Sequence, residues 1–155
     1  MTQSFMQMAA QEAILGIKKG EGGPFGVVIV RNGKIIARGH NEVIKTQDPT
    51  AHAEMVAIRK ACAKLKRFDL SDCEIYSSCE PCPMCFAAIH WAKMKKLTFG
   101  CTQKDAAKIG FDDQFIYDVI KGKSKKKQVK VIKTGRKACL VAFQKWSDMT
   151  QKIMY

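Results

Sequence analysis

Three cysteines stand at every third position of the stretch SSCEPCPMC: Cys79, Cys82 and Cys85. Thiols this close serve an iron–sulfur cluster, a redox pair, a disulfide, a structural zinc or a catalytic zinc. A four-cysteine cluster with C-x2-C-x2-C-x3-C spacing needs its last thiol at position 89, which is Ile89. Upstream the chain reads DPTAHAEM, with His52 and Glu54 at a helix start. His52 and two cysteines make three ligands and leave a fourth position open, the arrangement of a catalytic zinc that holds a water. Glu54 is a carboxylate within reach of that position. Two residues turn about 200° around a helix, so His52 and Glu54 share one cavity only in a first turn. Pro83 suits the first position of a helix. Cys82 is then the cap, and Cys85 lies in the first turn. Free N–H groups and partial positive charge at a helix N-terminus stabilise thiolates, the form that binds metal. Cys79, before Pro81 at a strand end, cannot share that helix start and reads as a packing residue. A structural zinc and a redox C-x-x-C stand beside the catalytic zinc at this point. Glu54 weighs against both, because neither needs a general base.

The elements that hold these residues are legible in outline. Phe5, Ala9, Ala13 and Ile17 recur at i, i+4 and predict a helix to about Lys19. VVIV and IIARG flank Asn32-Gly33, a pair suited to the type I′ turn of a hairpin. Thr50 is placed to cap the next helix, whose apolar face would carry Met55, Ile58, Cys62 and Leu65. CEIYSS and KLTFG read as strands. The helix between them, running to about Lys93 with Ala87, Ala88 and Trp91 as apolar positions, makes a βαβ crossover with parallel strands. FDDQFIYDVI reads as helix, VKVI as a short strand, and a last helix starts at about Arg136. The order αββαβαβ followed by αβα predicts a three-layer α/β/α fold, a mixed five-stranded sheet with helices on both faces. Ligands in such sheets favour the loops at strand ends.

Composition is that of one globular domain spanning residues 1–155. The seven cysteines are odd in number and scattered, which points to metal or catalysis in a reducing compartment before disulfides. The opening residues are too polar for the apolar core of a signal peptide, and no apolar run approaches the roughly 18 residues needed to span a membrane. A cytoplasmic location is expected, with no membrane partner. Net charge is +13, from 27 Lys+Arg against 14 Asp+Glu. The densest basic stretch, KGKSKKK at 121–127, has no interleaved aromatics and reads as a solvated loop.

The joint pattern H-x-E, then P-C-x-x-C, is the signature of zinc-dependent nucleobase deaminases. On HAE and PCPMC the chain resembles the cytidine-deaminase-like superfamily. GGPFG, GHNEV, DPTAHAE, SCEPCPMC and GFDDQFIY extend the likeness from about residue 20 to 118, and with the terminal Tyr155 they are most similar to the bacterial guanine deaminases. The resemblance implies hydrolysis of guanine to xanthine and ammonia, with one Zn2+ per subunit on His52, Cys82 and Cys85. Glu54 would act as general acid/base on the attacking water. Asp113 matches a carboxylate that contacts the base and helps the amine leave; without the resemblance, Asp112 and Asp113 read as a helix cap. Asn41 matches a base-binding amide. Phe25 is placed to stack on the purine, or else joins the core. Tyr155 matches a terminal residue that closes over a bound base, so the segment 136–155 would cover an active site. The resemblance also implies a homodimer and a small purine base as partner. Nucleic acid is the less favoured partner: +13 exceeds what a small-base enzyme needs, which keeps open a tRNA adenosine deaminase. Guanosine or another aminated purine or triazine is a closer competitor, and a non-catalytic zinc-binding interaction module a remote one.

Overall fold

A computed structural model describes residues 4–124 and 129–155. Helix α1 (Phe5–Lys18) opens with a capping box in which the Gln7 N–H donates to Ser4 Oγ and the Ser4 N–H to Gln7 Oε1. Its inner face carries Ala9, Ala13 and Gly16, whereas Ile17 is half exposed. The expected i, i+4 stripe slips by one residue because a helix turns every 3.6 residues.

Strands β1 (Gly26–Arg31) and β2 (Lys34–His40) form the expected hairpin. Asn32 and Gly33 have φ of 49° and 72°, as a type I′ turn requires. β1 is buried on both faces, which is why VVIV is continuously apolar. Val28 and Val30 meet Ala9 of α1 on one side; Val27 and Ile29 meet the core of the opposite side. There α3 (Ala53–Leu65), preceded by the short α2 (Val43–Thr46), packs on the sheet. The packing is close: a Cβ on Gly39 of β2 would lie 2.8 Å from the Ala53 carbonyl. That approach sets the start of α3 beside the end of β2.

Strand β3 (Glu74–Cys79) pairs antiparallel with β1, then α4 (Pro83–Trp91) crosses to β4 (Lys96–Cys101), which runs parallel to β3 as expected. The sheet order is β2-β1-β3-β4. The ends of β2 and β3 and the beginning of β1 therefore meet at one end of the sheet. Helices α5 (Gln103–Lys108), α6 (Gln114–Ile120) and α7 (Arg136–Asp148) follow. Among the described residues no helix is long and apolar enough to cross a membrane.

Five expectations need correction. The sheet has four strands, not five. VKVI is no strand: Val129, Val131 and Ile132 are 68–78% exposed and join neither edge of the sheet. His52, not Thr50, caps α3; the Thr50 hydroxyl is spent on Asp48. The buried face of α3 is built on Ala53, Ala57 and Ala61, with Ile58, Cys62 and Leu65 on its flank, because the close approach to β2 admits only small side chains. In α4 the inward residues are Cys85 and Ile89, while Ala87 and Trp91 face outward. Of the basic stretch 121–127, residues 125–127 lie outside the described residues.

Candidate active site

The two helix starts next to the ends of β2 and β3 bring the metal-type side chains together. His52 caps α3, Cys82 caps α4, and Cys85 sits in the first turn of α4 behind Pro83. His52 Nδ1 lies 3.5 Å from Sγ of both Cys82 and Cys85. A tetrahedral zinc with ordinary Zn–N and Zn–S bonds separates such ligands by about 3.6 Å. The triangle thus fits zinc in spacing and in donor type. The protein's own charges hold Cys82 down to about 4, first through a hydrogen bond from the Cys85 thiol and then through His52. They push Cys85 up, because its neighbour is already a thiolate and its surroundings are dry. His52 is raised by the Cys82 thiolate. A divalent cation between them favours thiolate at both cysteines.

Glu54 stands in the first turn of α3, 6% exposed, and accepts a hydrogen bond of 3.3 Å from the Ser77 hydroxyl of β3. Burial raises its carboxyl above the usual range, which suits a group that takes and returns protons. His52, Glu54 and Cys82 open onto one cavity of about 610 Å³, while Cys85 lies behind them, 1% exposed.

Asn41, Phe25 and Asp113 line the same cavity. Asn41 follows β2 and is buried; its Oδ1 accepts the Val43 N–H, which leaves the amide N–H2 as the end available to a ligand. Phe25 lines the cavity and also packs against the core. Asp113 occupies the cap position of α6 without a side-chain cap bond, whereas Asp112 accepts the Gln114 N–H. The capping role falls to the neighbour, and the Asp113 carboxyl is left facing the cavity. Burial and the Cys82 thiolate push it up.

Tyr155 is not among the residues lining this cavity; its ring lies 6.2 Å from Trp91 and 6.3 Å from Phe68. Trp91 is 67% exposed and takes no part in core or cavity. Cys79 is buried and touches the cavity margin, with a thiol pushed up to about 11 by burial. Several lining residues carry no signal of their own. Phe111 meets Phe25 edge-on at 5.0 Å, and Glu80 accepts the Gln103 N–H. The Tyr117 hydroxyl donates to the Pro81 carbonyl and ties α6 to the cysteine motif. These contacts join segments far apart in the chain, so no local pattern announces them.

Comparison with known proteins agrees with this geometry. The model of the cytidine and deoxycytidylate deaminase zinc-binding region matches residues 1–101. The chain is 44% identical over 153 residues to a guanine deaminase of Bacillus subtilis, covering 99% of this chain and 98% of that one. The X-ray structure of guanine deaminase from Bacillus subtilis superposes with a TM-score of 0.92 at 45% identity, covering 97% of this chain and 96% of that one. A tRNA-specific adenosine deaminase of Aquifex aeolicus is 43% identical over 100 residues, 64% of this chain and 66% of that one. The chain belongs to the cytidine and deoxycytidylate deaminase family of zinc-dependent hydrolytic deaminases.

Proposed function

We propose that this single-domain enzyme hydrolyses guanine to xanthine and ammonia, with zinc held by His52, Cys82 and Cys85. The observation that carries a deamination is the buried Glu54 carboxylate opening onto the same cavity as the His/Cys/Cys triangle. Guanine is favoured because the likeness to a guanine deaminase runs the whole length of the chain, whereas that to a tRNA-specific deaminase does not. Bound zinc supplies Lewis acidity that makes water nucleophilic near neutral pH. Glu54 takes a proton from the attacking water and delivers it to the ring nitrogen next to the amine-bearing carbon. A second proton transfer through Glu54 lets the amine leave as ammonia, so guanine and water balance xanthine and ammonia. Asn41 donates its amide N–H to an acceptor on the base. Phe25 covers one ring face, and Asp113 contacts the base and assists the departing amine.

The enzyme works as a homodimer in the cytoplasm, and the 136–155 segment with Tyr155 closes over an active site. Support comes from the exposure of every residue of that segment within its own chain. A second reading, deamination of adenosine in tRNA, has the +13 charge in its favour. Ammonia release from guanine, guanosine, adenine, cytosine and tRNA decides between them. Guanine turnover without inosine in tRNA is expected. Inosine formation with inert guanine overturns the proposal. Bound zinc with no ammonia from any substrate turns the chain into a binding module.

A further inference from the structure

We propose that His40 is a positioning residue that locks Asn41 and the Gly22–Gly23 loop into one rigid wall of the cavity. The inference rests on the reading of Asn41 as a base-binding amide. His40 ends β2, directly before Asn41, and its side chain is only 7% exposed. Both ring nitrogens face carboxylates: Nδ1 lies 3.3 Å from Glu12 Oε2 of α1, and Nε2 lies 2.5 Å from Glu21 Oε2. Glu42 stands 3.9 Å from Nε2. The ring lies against α1, where a Cβ on Gly16 would come within 2.8 Å of it. Helix, loop and strand end therefore share one imidazole.

The convergence of Glu21, His40 and Glu42 could suggest a cation site. That place is taken: Lys45 Nζ lies 3.3 Å from Glu21 and 3.6 Å from Glu42, Lys60 Nζ 3.9 Å from Glu42, and Arg38 4.0 Å from Glu12. The consequence is mechanical. Glu21 holds His40 with its carboxylate and accepts the Ile44 and Lys45 N–H groups, both at 3.1 Å, on its backbone carbonyl. The next residue, Gly22, lies so tightly on Asn41 that a Cβ there would come within 2.1 Å of Oδ1. Asn41 donates its own N–H to the Phe25 carbonyl at 3.0 Å. Two residues of the cavity wall, Asn41 and Phe25, are thus braced against a cluster outside the cavity. A buried polar cluster of this kind is costly unless complete, so loss of one arm is felt along the wall.

The test is a mutant cycle on guanine kinetics. His40→Gln should raise KM about tenfold and change kcat by less than about twofold, as removal of uniform binding does. Asn41→Ala should raise KM more. In the Asn41→Ala background, His40→Gln should add less than about twofold, because it acts through that amide. Zinc content should stay at one per chain in all three. If His40→Gln does not fold, Glu21→Gln removes one arm of the same brace and should show the same KM shift. Unchanged KM in Asn41→Ala overturns the base-binding role of Asn41, and this inference with it. A raised KM in Asn41→Ala beside wild-type kinetics in His40→Gln or Glu21→Gln overturns the inference alone. So does an effect of His40→Gln that is equally large in both backgrounds, which marks a residue that merely supports the fold.

Discussion

Up to Cys101, strands and helices bury their apolar residues inside the chain: Val27, Ile29, Ala53, Ala57 and Ile75 are all fully buried. Beyond Cys101 the pattern inverts. Ala106 is the one buried residue among those described, and α7 has none, with Val141 55% and Phe143 73% exposed. The first region closes its core by itself and places the His/Cys/Cys triangle on two helix starts anchored in that core. The second region carries apolar surface with no cover in its own chain, which isolated helices of this length do not tolerate well. The family model stops at the same border, at residue 101, while the likeness to a guanine deaminase continues past it. The proposed roles divide accordingly: metal binding and the Glu54 proton transfer fall to the first region, the Asp113 contact and closure over the base to the second.

That division can be broken in order of effect. Cys82→Ala should abolish zinc binding and turnover together, read as metal content and ammonia release; a zinc-loaded variant would remove the triangle from the first region. Glu54→Gln should keep zinc and lower turnover by roughly 10²–10⁴-fold, the usual share of a general acid/base. Removal of Met149–Tyr155 should raise the guanine KM about tenfold, the scale of losing a contact worth about 1.4 kcal/mol. The same truncation should leave zinc content and the unfolding midpoint in place. Unchanged kinetics would leave the second region without a role in the site. Cys79→Ala should retain zinc and full turnover and cost about 1 kcal/mol in denaturant unfolding, as loss of one small buried group does.

Legibility in the sequence follows how local each signal is. Asn32-Gly33 announced its turn because only special residues accept positive φ at both positions. Pro83 announced α4, and with it the place of Cys82 and Cys85, because a proline fits a helix start and few other sites. In α3 the predicted face was off-centre, since alanines chosen for close approach to β2 carry little hydrophobic signal. VKVI failed as a strand for a different reason. Alternating apolar residues describe a willingness to pair, and pairing needs an open edge in the right place. The helix start at Arg136 is legible, yet periodicity does not say what α7 packs on. The brace around His40 was invisible because Glu12, Glu21 and Glu42 reach it from three separate segments.

The missing fifth strand has a practical side. β4 ends the sheet, with no further strand beside it among the described residues. An open strand margin is a template on which another molecule can stack, and natural proteins guard such margins with lysine. Lys95 and Lys96 guard the beginning of β4, but its far end presents Phe99 and the exposed thiol of Cys101 with no charge between them. Aggregation in concentrated stocks is accordingly expected at this corner as well as on the uncovered apolar face beyond it. Air oxidation of Cys101 would then rivet two molecules that had only touched, so a reductant in storage guards the shelf life of the protein.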